Sequence, residues 1–315
     1  RGIGVCAYLE VTAGAGQEHG GIRFSEDGRV TVVSGTLDYG QGHRATFAQV
    51  LSARLGIPFE LIDLLQGDSD QLLVGGGTGG SRSVIAAGGA IYESAGAVIE
   101  KGTVVAGHVL EAAIEDIEFT DGKFCISGTD RSIGIMELAA KARALGGANG
   151  LPNSLDVDLV HDTAGSAFPN GVHVVEIEID PDTGETHVVR YTVVDDFGNV
   201  INPLLAAGQV HGGVVQGIGQ ALMEEVVYDD DGQLLTGSYM DYALPRADQI
   251  PNIVFEDHPV PAKTNVLGAK GAGEAGVSGA LPAVMNAMAD ALAEFGVDNI
   301  DMPATPEKVW QAIHG

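Results

Sequence analysis

The sequence predicts an α+β protein of two similar lobes, each a mixed or antiparallel sheet with packed helices. Three observations predict it. Stretches of alternating apolar residues come in pairs across turn signals such as Asp27-Gly28, Asp121-Gly122 and Pro181-Asp182-Thr183-Gly184. Such pairs read as hairpins, so the sheets are not doubly wound parallel ones. Segments with a helical apolar period follow the hairpins and stop at glycine. The order hairpin, glycine-and-glutamine turn, helix, further β, glycine loop, helix then occurs twice. The expected division is a first lobe at 1–150, a linker at 151–169 and a second lobe at 170–315.

Along the chain, residues 3–12, 21–24 and 29–35 read as strands. A helix at 43–56 ends on Gly56, and 59–67 is a further strand. A long helix of small residues covers about 82–113. A short hairpin spans 116–127, and a helix covers 132–146. The stretch 147–169 is polar and irregular, with Pro152 and Pro169, hence the linker. The second half has a hairpin at 171–198, a helix at about 203–225 and a hairpin at 226–240 that turns at Asp231-Gly232. Helices follow at 279–295 and at the C-terminus, where Thr305 is the N-cap and Pro306 the first helical residue.

The chain has 315 residues, 45% of them hydrophobic, long enough for two modest domains or one large one. Glycine numbers 46 and concentrates at 75–80, 208–219 and 268–279, a pattern of close packing and ligand loops. Net charge is −27, from 43 acidic against 16 basic residues. That field repels nucleic acid and anionic membranes. It reads as a solvated acidic surface, as in a salt-adapted cytoplasm, or as a face for a basic partner. Cys6 and Cys125 stand far apart, which leaves no cysteine set for an iron–sulfur cluster or a zinc finger. No apolar run has the length of a membrane span, and no signal peptide is visible. The expected compartment is the cytoplasm. The chain starts at Arg1 and not at Met, which reads as a fragment, a processed product or one part of a larger polypeptide.

Two segments match G-x-G-x-x-G: Gly75–Gly80 and Gly271–Gly276. Each precedes a helical pattern, which suits an anion at a helix N-terminus. Ser81 and Ser83 add hydroxyls at the first, and Arg82 adds a charge. The alternative for each loop is that its glycines only permit tight packing. A nicotinamide cofactor on Gly75–Gly80 is a further reading, with Glu100 near the spacing of a ribose-binding acid. Gln41, Gln209 and Gln216 sit among glycines, and an amide suits a heteroaromatic edge or an oxo ligand. Glu274 stands alone within the second loop. Shielded by small apolar neighbours, it would have a raised pKa and suit proton abstraction. As a helix N-terminal carboxylate, it would instead stay ionised.

The stretches "DYGQGHRATFAQVLSARLGI", "GDSDQLLVGGGTGGSRSVIAAGGAI", "INPLLAAGQVHGGVVQGIGQALMEE", "LGAKGAGEAGVSGALPAVMNAMADAL" and "MPATPEKVWQAI" resemble the molybdenum-binding subunit of the xanthine dehydrogenase, aldehyde oxidoreductase and carbon monoxide dehydrogenase family. The resemblance spans nearly the whole chain. It implies a molybdenum hydroxylase of an aldehyde or N-heterocycle that uses water-derived oxygen. The implied cofactor is a molybdopterin, commonly the cytosine dinucleotide, whose dithiolene and not the protein holds the metal. By the resemblance Glu274 is the catalytic base, and Gln41 and Gly42 contact the cofactor. Gly79, Gly80, Ser81, Arg82 and Ser83 line its pterin or nucleotide end, and Gln209 bonds the pterin. Lys270, Gly271, Ala272 and Gly273 form the backbone leading to the base.

Two departures stand out. The family's first cofactor lobe, with its Phe-Gly-Gly-Gly-Phe-Gly-type loop, is not in this chain. The implied partners are that missing lobe, an iron–sulfur subunit and an FAD subunit. Ala275-Gly276 follow the glutamate where carbon monoxide dehydrogenases usually have Ser-Pro, which argues against carbon monoxide as substrate. A non-catalytic assembly half is the other class of role.

Overall fold

The computed structural model describes residues 1–14, 16–163 and 165–315. In chain order the elements are β1 (Gly2–Leu9), β2 (Gln17–Phe24), β3 (Val30–Ser34), α1 (His43–Leu55), β4 (Ile62–Leu65), α2 (Ser83–Leu110), β5 (Ile117–Thr120), β6 (Lys123–Ile126), β7 (Ser132–Gly134) and α3 (Ile135–Leu145). There follow β8 (Val157–Asp162), β9 (Asn170–Ile179), β10 (Thr186–Asp196), α4 (Pro203–Leu222), β11 (Ile253–Asp257), α5 (Ala275–Ala293) and α6 (Pro306–His314).

The chain divides into two compact units. The first comprises Ala13–Ser166 and Ala262–Ala269; the second comprises Arg1–Thr12, Ala167–Pro261 and Lys270–Gly315. Each is built on a four-stranded sheet, in the orders β4-β3-β2-β8 and β1-β9-β10-β11. The two sheets share one pairing scheme. A hairpin (β2/β3 or β9/β10) takes an antiparallel strand on one edge and a parallel strand on the other. The expected repeat is therefore present at the level of pairing. A small antiparallel sheet, β5-β6-β7, completes the first unit.

The antiparallel edge strands are exchanged. β1 leads into the first hairpin yet pairs with β9, and β8 leads into the second hairpin yet pairs with β2. The expected boundaries differ accordingly. Residues 1–12 belong with the second unit, and the expected linker carries β8, with Ala164 outside the described residues. The reason for β1 lies in its glycines. A Cβ on Gly4 would sit 2.0 Å from the Ala283 carbonyl oxygen, so β1 lies flat against α5. β8 is held by side chains at its edge: Asp158 meets His19 Nε2 at 3.0 Å and Arg23 at 3.4 Å.

Burial follows the pleat. In β9 His173, Val175 and Ile177 point inward; in β10 Val188, Tyr191 and Val193 do, with a bulge between Val188 and Arg190. α4 and α5 cover this sheet with Val210, Val214, Ile218, Ala280, Val284 and Met288. In the first unit α1 and α2 bury Phe47, Leu51, Leu55, Ile85, Ile91 and Val98. The hairpin expected at 226–240 is reduced to one bridge, Tyr228 to Leu234. There the Asp229 carboxylate accepts the N–H groups of Asp231 and Gln233 at 3.0 and 2.8 Å, which competes with a strand ladder.

Candidate functional site

In the first unit two of the singled-out motifs are tied together. The Leu37 carbonyl accepts from Gln41 Nε2 at 3.1 Å and from the Thr78 hydroxyl at 2.7 Å. The Thr78 hydroxyl lies 2.9 Å from that of Ser83, the first residue of α2. Gly77 donates to the Gly35 carbonyl at 3.2 Å. Arg82 donates to the carbonyls of Gly14 and Gly76 at 3.2 and 3.0 Å, which folds its guanidinium over the glycine loop. The Gly40–Gly42 turn and the Gly75–Ser83 loop are thus one connected surface.

The local chemistry of that surface follows from its residues. Asp38 caps α1: its carboxylate accepts from Gly40, Gly42 and His43 N–H at 2.8, 3.3 and 2.9 Å. Burial works against the Asp38 charge, but these bonds outweigh it and hold its pKa below the ordinary value. Gly80 and Ser81 have φ of 60° and 55°, so Ser81 occupies the left-handed region that ordinary residues avoid. A Cβ at Gly40 or Gly79 would meet nothing within 4 Å, so those stretches turn bare backbone outward. Bare backbone at the start of α2 can offer N–H donors to an anion.

In the second unit the candidates are Gln209 on α4 and the run Lys270–Glu274 leading into α5. The two helices cross backbone on backbone. A Cβ on Gly276 would sit 2.5 Å from the Val210 carbonyl oxygen and 2.9 Å from Gly213 Cα. Val210 is the neighbour of Gln209, and Gly276 lies two residues beyond Glu274, so the close approach of the two helices is one residue from Gln209 and two from Glu274. Gln209 is half-buried, Gly271 buried and Ala272 half-buried against the core. Lys270 is the anchor of the loop. Its N–H donates to the Phe197 carbonyl at 2.7 Å, and its Nζ meets Asp196 Oδ2 at 2.5 Å with both side chains only 10% exposed.

Asp196 escaped the sequence reading. It also accepts from Gly198 and Val260 N–H, both at 2.9 Å. Burial raises its pKa, while Lys270 and these N–H groups lower it further, so the net shift is down. A carboxylate depressed in the folded state adds stability that is present above its unfolded pKa and lost as pH falls through the folded one. Lys270→Met is expected to cost roughly 3 kcal/mol near neutral pH, at the low end for a broken buried pair, since the backbone donors stay. The gap from wild type narrows on acidification, as protonated Asp196 no longer needs the lysine. Denaturant unfolding across pH 3–7 checks this, and a pH-independent gap refutes it.

Beneath α5 lies a buried polar cluster that the sequence reading also missed. The Tyr8 hydroxyl donates to Asp195 Oδ1 at 2.8 Å, and the Tyr191 hydroxyl lies 2.9 Å from His173 Nδ1. Burial first, and Asp195 second, push the Tyr8 pKa far up. A Cβ on Gly279 would fall 2.4 Å from the His173 ring, so glycine is required there. The doublet Asp195-Asp196 at the end of an apolar strand was the available signal for both features.

Two expectations need correction. Glu274 is not shielded by its small neighbours: it is exposed at the N-cap position of α5, with Ala275 and Gly276 buried beneath it. The apolar neighbours face the core, and the carboxylate points away from it. The nicotinamide reading of Gly75–Gly80 also fails. β4 ends at Leu65, well before the loop, and α2 leads into the antiparallel β5-β6-β7 sheet instead of a parallel strand. Glu100 lies on α2 itself. Among the described residues no helix is long and apolar enough to cross a membrane.

Residues 1–251 match the family of the molybdopterin cofactor-binding domain; the Lys270–Glu274 segment lies beyond the matched range. The chain is 41% identical to the 6-hydroxypseudooxynicotine dehydrogenase complex subunit gamma of Paenarthrobacter nicotinovorans, across 100% of this chain and 40% of that protein. It is similar in structure to the Cu,Mo-CO dehydrogenase in its carbon monoxide reduced state (TM-score 0.91, 32% identity, 100% of this chain and 42% of that one). It is similar also to quinoline 2-oxidoreductase from Pseudomonas putida 86 (TM-score 0.88, 34% identity, 99% and 42%). The chain therefore spans about two fifths of the length of the relatives it matches.

Proposed function

Because the chain belongs to the family of molybdopterin cofactor-binding domains, we propose that it is the C-terminal, cofactor-holding part of a molybdenum hydroxylase catalytic subunit. The reaction is oxidative hydroxylation of a C–H bond with water-derived oxygen. An N-heterocycle is the favoured substrate class and an aldehyde the alternative. Two relatives carry the names of nicotine-derived and quinoline substrates, and Ala275-Gly276 depart from the Ser-Pro of carbon monoxide dehydrogenases. One observation carries the reading. Glu274 is an exposed carboxylate at the tip of a loop anchored by Lys270 and Asp196, beside a helix crossing with no room for side chains.

When bound, the molybdopterin supplies the two-electron oxidation at its metal. The residues of this chain hold and orient. Gly40–Gly42 and Gly79–Ser83 offer backbone and hydroxyl donors to the cofactor's anionic groups, commonly a cytosine dinucleotide. Gln209 offers an amide to its pterin, and Gly271–Gly273 present backbone. A Glu274 carboxylate oxygen accepts the proton released as oxygen is transferred. Each of the two units is in this reading one cofactor-binding lobe. The remaining cofactor lobe, an iron–sulfur partner and a flavin partner complete the enzyme.

The test is metal and pterin analysis of the whole purified protein, followed by turnover on N-heterocycles and aldehydes. Stoichiometric molybdenum and pterin with hydroxylation of an N-heterocycle is the expected result. A fully assembled protein without either group refutes the reading.

A further inference from the structure

We infer that His43 is a positioning residue whose neutral, Nδ1-protonated ring fixes the Gln41 amide and with it the Gly40–Gly42 turn. The inference deepens the proposed function, since it rests on that turn being part of the cofactor surface.

It follows from counting donors. Gln41 Oε1 accepts from Tyr39 N–H at 2.5 Å, while Nε2 donates to the Leu37 carbonyl at 3.1 Å. Turning the amide over would set NH₂ against an N–H and oxygen against a carbonyl, so its orientation is fixed. Its Nε2 lies 3.2 Å from His43 Nε2. That ring nitrogen must therefore accept, and the proton of the neutral ring sits on Nδ1.

On its other side the ring faces Gln66. The terminal amide atom placed as Nε2 is 3.3 Å from His43 Nδ1 and 2.6 Å from Thr36 Oγ1. A proton on Nδ1 requires an acceptor there, so this atom is the amide oxygen; such O/N assignments are decided by the network. With Gln66 so turned, Thr36 and His43 both donate to one oxygen.

The charged group facing the ring is Asp38 on its own turn; Phe47 of α1 covers it with ring centroids 4.9 Å apart. Glu18 of β2 reaches it only through Ser34, Thr36 and Gln66. Burial lowers the His43 pKa, against the pull of Asp38 and Gln66. A second proton would place Nε2–H against the Gln41 NH₂, donor on donor. Because protonation is harder in the folded turn than in the unfolded chain, order in the turn is kept at neutral pH and lost on acidification.

The test uses the whole protein, with hydrogen exchange of the 37–43 segment corrected for intrinsic rates and nitrogen NMR of a histidine-labelled sample. At neutral pH His43 is expected to show a pyrrole-type Nδ1 and a pyridine-type Nε2. Exchange of the turn rises as pH falls toward 5. His43→Phe removes the acceptor and raises exchange at neutral pH about tenfold or more. His43→Gln, which can place an uncharged acceptor near Nε2, restores protection and abolishes the pH dependence. An Nε2-protonated or charged ring at neutral pH overturns the inference. So does unaltered exchange in a folded His43→Phe protein. Cofactor content separates the two claims. If His43→Phe loosens the turn as expected but keeps wild-type molybdenum and pterin, the positioning role stands and the proposed cofactor role of Gln41–Gly42 falls.

Discussion

Glu274→Gln is expected to lower turnover by about 10²–10⁴-fold, the range that general-base catalysis supplies, with molybdenum and pterin content unchanged. The amide keeps the size and most of the hydrogen-bonding shape of the carboxylate but cannot take up a proton at neutral pH. Glu274 is exposed at the start of α5, so its loss should not unfold the protein, and thermal stability serves as the control. Glu274→Asp retains the base but draws it back by one methylene. It should fall between the two, because a misplacement of about 1 Å can cost roughly 10²-fold. Loss of kcat at nearly constant KM is the expected division. Near-normal kcat in Glu274→Gln with full molybdenum occupancy removes Glu274 from the mechanism.

Gly212→Ala and Gly213→Ala, one residue apart, are expected to change stability in opposite directions. A Cβ at Gly212 meets nothing within 4 Å, so alanine there gains the helix-propensity difference, about 0.5–1 kcal/mol. A Cβ at Gly213 falls 2.9 Å from Gly276 Cα and 2.9 Å from Val277 N, which are backbone atoms of α5. Neither can turn aside as a side chain could, so the helices must separate. Overpacking of this kind costs about 1–3 kcal/mol, and the rigid contact places Gly213→Ala at the upper end or beyond. The displaced α5 carries Glu274, so turnover should fall as well. Denaturant unfolding of the pair decides it: equal effects would mean the crossing is loose, and the placement of Glu274 would lose its structural basis.

Three of the four expected hairpins and most helices were legible because their signals are local; the fourth, at 226–240, is a single bridge. Asp27-Gly28, Asp121-Gly122 and Pro181–Gly184 fix turns within a few residues, and Thr305-Pro306 starts α6 where expected. The edge strands were not. β8 lies in a stretch with proline and polar residues on either side, and β11 holds only five residues. Each becomes a strand because a distant hairpin offers an open edge. The cofactor family was legible in the glycine and glutamine motifs. The anchors Asp196 and His43 were not, since nothing near them in sequence reveals the lysine, amides or carbonyls they meet.

Residue types and spacing determined by themselves the α+β class, the repeated order of elements and the identity of the loops, because turn and periodicity preferences act over a few bonds. Only the tertiary structure decided which strand closes each sheet, that Glu274 faces outward while Lys270 turns in, and that Gln41 is held by its own loop. Those outcomes depend on contacts between residues far apart in the chain. There a missing Cβ or a single donor decides what fits, and no local pattern records it.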